Sequence, residues 1–223
     1  MRLKHKTLTD KIHLITTDTE RYLASTFLRF QEYYESPKFK GKIFTLDEFK
    51  EWYIKNSMGG EKTGKFTYYD DWEGFNIPSY VLNPFYSGKF NPLSDKEKRF
   101  LELFEKEKEK FYVIGVNKET KTLGADLTHE IAHGLFYTDK DYREEILNVL
   151  SRYNLEKLKT ELKEMKYHRD VLEDECHAYS INAVKKRGLK TKIPKGLSTQ
   201  LREIYKEHLK EKGLPILSEQ LIL

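Results

Sequence analysis

One segment, residues 127–136, constrains the fold more than any other stretch: Leu-Thr-His-Glu-Ile-Ala-His-Gly-Leu-Phe. Leu127, Ile131 and Leu135 recur every four residues, and His129 and His133 recur at the same interval. At about 100° per residue this spacing makes one helix with an apolar back and a polar front. Such a helix must bury its back, so the rest of the chain has to build a core around it. The front carries the pattern H-E-x-x-H. Two imidazoles four residues apart project from one helical face and can share a single Zn²⁺. Glu130 falls at the edge of that face, where a carboxylate can take a proton from a metal-bound water without displacing it.

The chain is equipped to supply that core. Its 223 residues suit a single domain, and the 13% aromatic share, with 15 Tyr and 13 Phe, argues against wholesale disorder. Lys+Arg 40 against Asp+Glu 36 leaves a formal charge of only +4. The charges alternate in sign without forming a basic block, so no nucleic-acid partner is expected. The densest run, 95–110, interleaves Lys and Glu and reads as a solvated helix face. The one cysteine, Cys176, excludes an intrachain disulfide and any cysteine-built zinc knuckle or iron–sulfur site, and fits a reducing compartment. The first twenty residues lack the apolar stretch of a secretory signal, and nothing approaches 18 consecutive apolar residues. A cytoplasmic location and no membrane partner are therefore expected. Oligomeric state is not legible.

Local signals then place the elements. Leu23, Phe27, Phe30 and Tyr34 recur at helical spacing, predicting a helix over 18–35 with Asp18 as cap. Thr45 with Glu48, and Ser94 with Glu97, are capping-box pairs that open helices at 46–56 and 95–109. Residues 57–65 read as a loop. The stretch 66–93, rich in Gly, Pro and aromatics, predicts turns and short strands at 66–69 and 79–82. Phe-Tyr-Val-Ile-Gly-Val, 111–116, is apolar and β-branched, a buried strand. Residues 117–122 read as a turn. Further helices are predicted at 124–137, 140–152, 155–166, 168–186 (closed by Gly188) and 199–210.

A catalytic zinc needs a third protein ligand and an open position. Asp139 stands six residues after His133, where a longer motif has its ligand, but Phe136 replaces the glycine that would turn the chain back to the metal. The helix over 168–186 offers more. His168, Val171, Leu172, Glu175, Ala178, Tyr179 and Asn182 share a mostly apolar stripe, whereas Arg169, Glu173, His177 and Ser180 fall on a polar side. Glu175 sits at the centre of the apolar stripe, and a carboxylate there is costly unless paired or bound to metal. A buried ion pair is the other explanation. Glu173 is the fallback, as ligand or as an acceptor behind a ligand histidine.

His129-Glu130-Ile131-Ala132-His133 followed by Glu175-Cys176-His177-Ala178 resembles the gluzincin zinc metallopeptidases, over residues 111–183. They carry H-E-x-x-H on one helix and a glutamate on a later one, with a small residue three places on, as Ala178 is here. The resemblance implies an α+β, helix-rich zincin-like domain with a small β-sheet packed on the H-E-x-x-H helix, residues 111–116 being a candidate strand of it. It implies His129, His133 and Glu175 as Zn²⁺ ligands, Glu130 as general base, and a protein or peptide substrate. The whole of 1–223 is then one domain, with a helical N-terminal lobe over 1–65 and the sheet and site helices in 66–223. An oxyanion-stabilising His or Tyr is also implied; Tyr179 is a candidate, with His177 and His168 behind it. Competing readings are a zinc-binding interaction protein without turnover, and a zinc amidase acting on a small molecule. The large remainder of the chain beyond this minimal site points to a narrow substrate range.

Three other signals carry less. Residues 59–65, Gly-Gly-Glu-Lys-Thr-Gly-Lys, approach a phosphate-binding loop, but Phe66 stands where Ser or Thr should hold Mg²⁺ and no strand precedes it. Cys176, alone within a helix, reads as packed and inert. Trp72, Phe75, Tyr80, Phe85, Tyr86 and Phe90 read mainly as core.

Overall fold

The structure is a computed structural model that describes residues 3–72, 74–117, 123–165, 167–182 and 189–215, with backbone only at 123–126. It is α+β and helix-rich, with one small four-stranded sheet ordered β1-β2-β4-β3. The chain divides into two compact units, residues 1–7 with 13–121, and residues 8–12 with 122–223.

The chain begins with a strand pair, β1 (Lys4–Thr9) and β2 (Ile12–Thr17), where the sequence reading placed no element. β1 is an edge strand and keeps Lys4 and Lys6 exposed, charges that discourage further strand pairing. α1 (Glu20–Glu35) follows, capped by Thr19 in place of Asp18. α2 (Leu46–Asn56) opens at the expected capping box, with Thr45 and Glu48 each bonded to the other's backbone. Residues 58–63 form a short helix, α3 (Met58–Thr63), closed by Gly64 at φ 66°, so the expected loop is a capped turn of helix. α4 (Tyr68–Asp71) and β3 (Gly74–Pro78) replace the short strands expected at 66–69 and 79–82. A 3₁₀ turn over Ser79–Leu82 leads into α5 (Asn83–Tyr86). α6 (Asp95–Glu102) starts at its capping box but stops well short of residue 109. β4 (Tyr112–Asn117) is the expected buried strand and pairs antiparallel with β3, Phe75 opposite Gly115.

α1 packs across β3 and β4. Gly115 is required at that contact: a Cβ there would stand 2.6 Å from the Phe27 ring. Phe27, Phe30, Phe75, Phe85, Phe90 and Phe100 fill the core, with Phe85 and Phe90 stacked at 4.0 Å between centroids. Of the middle aromatics, Phe75, Phe85 and Phe90 are buried while Trp72, Tyr80 and Tyr86 stay exposed. Arg29 enters this core as a fork, donating to Glu97 Oε1 and Oε2 at 2.6 Å each and to the Phe90 carbonyl at 2.9 Å.

The second unit is helical: α7 (Leu123–Thr138), α8 (Lys140–Leu150), α9 (Glu156–Glu164), α10 (Leu172–Ile181) and α11 (Lys195–Glu211). α10 is the central element, packed by α7, α8, α9 and α11. A 3₁₀ turn at Arg169–Val171, capped by His168, precedes it, so this helix begins four residues later than its periodicity predicts. Residues 118–122 and Gly188 lie outside the described residues, and with them the expected turn and helix stop.

Candidate metal centre

Along α7, Leu127, Ile131 and Leu135 are buried, as the apolar back predicts. His129 and His133 lie one turn apart on the other side, and α10 faces them. Residues 172 and 175–182 are all buried, so α10 has no solvent side over its last two turns. His177 and Ser180, read from periodicity as polar-face residues, are fully buried. A helix surrounded by four neighbours buries polar residues wherever they can find partners, which erases the stripe.

His129, His133 and Glu175 come together as one buried group, with a ligand atom from each lying within 4.8 Å of the others. The two imidazole Nε2 atoms are 3.1 Å apart. Glu175 Oε1 is 3.6 Å from His133 Nε2, and Oε2 is 3.8 Å from His129 Nε2. Tetrahedral zinc at about 2.0–2.1 Å from each donor sets the donors about 3.3 Å apart. The two nitrogens and one carboxylate therefore fit a single zinc, with a fourth position left over. Ala178, one turn beyond Glu175, is fully buried, and α7 packs on α10.

The other third-ligand candidates are committed elsewhere. Glu173, its side chain 44% exposed, pairs with Lys159 at 2.8 Å. Asp139 caps α8 by accepting from Tyr142 N at 3.1 Å, and it pairs with Lys212 at 2.6 Å. His168 is exposed at its cap. Tyr179 sets its ring edge-on to His129 at 5.1 Å, with its hydroxyl 3.1 Å from that of Tyr167. Cys176 is fully buried, and burial pushes its thiol up to about 12, which agrees with an inert packed cysteine. Residues 59–63 of the phosphate-loop look-alike belong to α3.

Sequence reasoning missed Asp174. Its carboxylate takes the position considered for Glu173: Oδ2 lies 2.9 Å from His133 Nδ1, on the ring edge away from the ligand group. Burial alone would push the Asp174 carboxyl up, but His133 and His177 hold it below its ordinary value. An ionised carboxylate only accepts, so His133 presents Nδ1–H to Asp174, which leaves Nε2, on the Glu175 side, as the nitrogen a metal would take. The one available signal was its place beside Glu175, in a run of three acids opening a helix.

The electrostatics favour a cation. Burial disfavours charge on His133, yet Asp174, Glu175 and Glu130 outweigh it and raise the imidazole to about 10. Glu130 is half-buried, and its charge reaches both His133 and Tyr179. Without a metal, a proton answers this field. A divalent ion on the same donors would displace the Nε2 proton, since ligand imidazoles must be unprotonated. Comparison with protein-family models, with curated proteins and with solved structures finds no match for this chain.

Proposed function

We propose that this chain is a zinc-dependent peptidase in which His129, His133 and Glu175 hold the metal and Glu130 is the general base. The observation that carries this reading is the buried His129–His133–Glu175 group on two packed helices, with the charge of Glu130 reaching His133. Zinc bound there would supply Lewis acidity, polarising a scissile carbonyl and lowering the pKa of the attacking water. Glu130 accepts the proton of that water on its carboxylate and passes it to the departing amide nitrogen. Asp174 keeps the proton of His133 on Nδ1, away from the site. The substrate class is a protein or peptide, and the resemblance to gluzincins belongs to this proposal and goes no further. So does a cytoplasmic location. The lone cysteine fits that location, and among the described residues no helix is long and apolar enough to cross a membrane.

The test is cleavage of a peptide library by the full chain loaded with one equivalent of zinc, read by mass spectrometry beside Glu130→Gln. Peptide products from the wild type are expected, with turnover falling by about 100-fold or more in the variant at unchanged zinc content. Equal turnover by both proteins refutes Glu130 as the base. Hydrolysis of small acyl amides alone makes the chain an amidase, and bound zinc without any turnover makes it a zinc-binding interaction protein.

A further inference from the structure

Behind His133 the polar contacts do not stop at Asp174. Its second oxygen, Oδ1, faces His177 Nδ1 at 3.4 Å, and His177 Nε2 lies 2.7 Å from the Tyr142 hydroxyl. The chain His133–Asp174–His177–Tyr142 thus joins α7, α10 and α8. His177 and Tyr142 are both completely buried, and Phe136 stacks on the His177 ring at 5.4 Å and 26°.

The direction of every proton follows from the carboxylate outwards. Asp174 can only accept, so His177 presents Nδ1–H to it. That leaves His177 Nε2 as an acceptor, which the Tyr142 O–H fills. The opposite arrangement would set a bare ring nitrogen against a carboxylate oxygen inside the protein. Asp174 is therefore held from both sides, by His133 and by a histidine whose tautomer and ring plane are themselves held by Tyr142 and Phe136. A buried ring with one free polar edge would have other orientations to choose from; this one has a partner at each nitrogen.

From this juxtaposition we infer that His177 and Tyr142 are positioning residues for the metal site: acting through Asp174, they hold the proton on His133 Nδ1 and fix the orientation of its ring before metal arrives. Partners outside the ligand sphere act on affinity in this way, by removing the reorganisation a loose ligand would need on binding. The inference rests on the zinc reading and adds to it a route from α8 to a ligand on α7.

The experiment measures the zinc dissociation constant of the full-length chain by competition with a chromophoric chelator. The variants are Tyr142→Phe, Asp174→Asn and the double variant, with thermal melts of the same metal-free samples. Asp174→Asn is expected to weaken zinc by about 10–100-fold, and Tyr142→Phe by a smaller factor of about 3–10. In the Asp174→Asn background, Tyr142→Phe is expected to add nothing, because its route to His133 is already cut. A tyrosine that merely packs would lower the melting temperature and leave zinc affinity alone, or would weaken zinc by the same factor in both backgrounds; either result overturns the inference. If Tyr142→Phe does not fold, His177→Asn and His177→Leu replace it. The asparagine amide can stand in for Nδ1–H and keeps affinity, whereas leucine loses it; equal affinities overturn the inference. No zinc bound by the wild type overturns the metal reading and this inference together. Zinc bound equally by the wild type and by the Tyr142 and His177 variants overturns this inference alone.

Discussion

Glu32 offers a quantitative test of how the first unit is built. It lies buried on α1, its carboxyl accepting from the fully buried Tyr68 hydroxyl, with Glu35 one turn on adding like charge. Burial is the main cause that raises it from an ordinary value of 4.5 to about 7, against the lowering effect of the Tyr68 bond. The folded protein therefore holds a proton on Glu32 between about pH 4.5 and 7 that the unfolded chain has released. Stability from this group is fully present below pH 4.5 and is lost as the pH rises through 7. At about 1.4 kcal/mol for each factor of ten in acid dissociation, the loss is about 3 kcal/mol. Glu32→Gln keeps an acceptor for Tyr68 and removes the titration. Urea unfolding of both proteins from pH 4.5 to 8.5 is the assay. The variant is expected to match the wild type within about 1 kcal/mol at the acid end and to exceed it by about 3 kcal/mol at pH 8.5. A difference that stays constant with pH, or a variant less stable at pH 8.5, would refute the reasoning.

Three further outcomes follow from packing and charge. Gly115→Ala drives a methyl into the Phe27 ring and is expected to cost about 1–3 kcal/mol, seen as a lowered melting temperature; an unchanged melting temperature would mean that α1 does not press on β4. Arg29→Met leaves the Glu97 carboxylate buried without its cation and should cost about 3–5 kcal/mol in urea unfolding, whereas Lys98→Met, at an exposed i,i+3 pair, should cost less than about 1. Cys176 is expected to resist an aromatic disulfide reagent at pH 8 until denaturant is added, as its burial and raised thiol value require.

Legibility from sequence tracked how local the determinants are. The starts of α2 and α6 were readable to the residue because a capping box closes within four positions, Thr45 with Glu48 and Ser94 with Glu97. α7 and the pairing of His129 with His133 were readable because one helix turn brings them together. Glu175 was readable as an acid out of place on an apolar stripe. The β1–β2 hairpin was not: β1 is exposed and β2 wholly buried, so neither alternates, and what holds them is a partner strand. α3 was missed because its glycines read as loop, whereas a Ser57 cap and Gly64 make the short helix close. Asp174, His177 and Tyr142 escaped for one shared reason. Each is polar, His177 and Tyr142 fully buried and Asp174 partly so; each is satisfied by a residue on another helix except where His177 meets Asp174, and no pattern along one helix predicts a partner on the next.

The proposed metal centre would hold one zinc between α7 and α10. The most direct measurement is metal content of the purified chain by mass spectrometry, for wild type, His133→Ala, Glu175→Ala and, as a control two residues away, Glu173→Ala. About one zinc per chain is expected in wild type and Glu173→Ala, and its loss in His133→Ala and Glu175→Ala. A wild type that binds no zinc even when zinc is offered, or a Glu175→Ala protein that retains it while Glu173→Ala does not, would contradict the account.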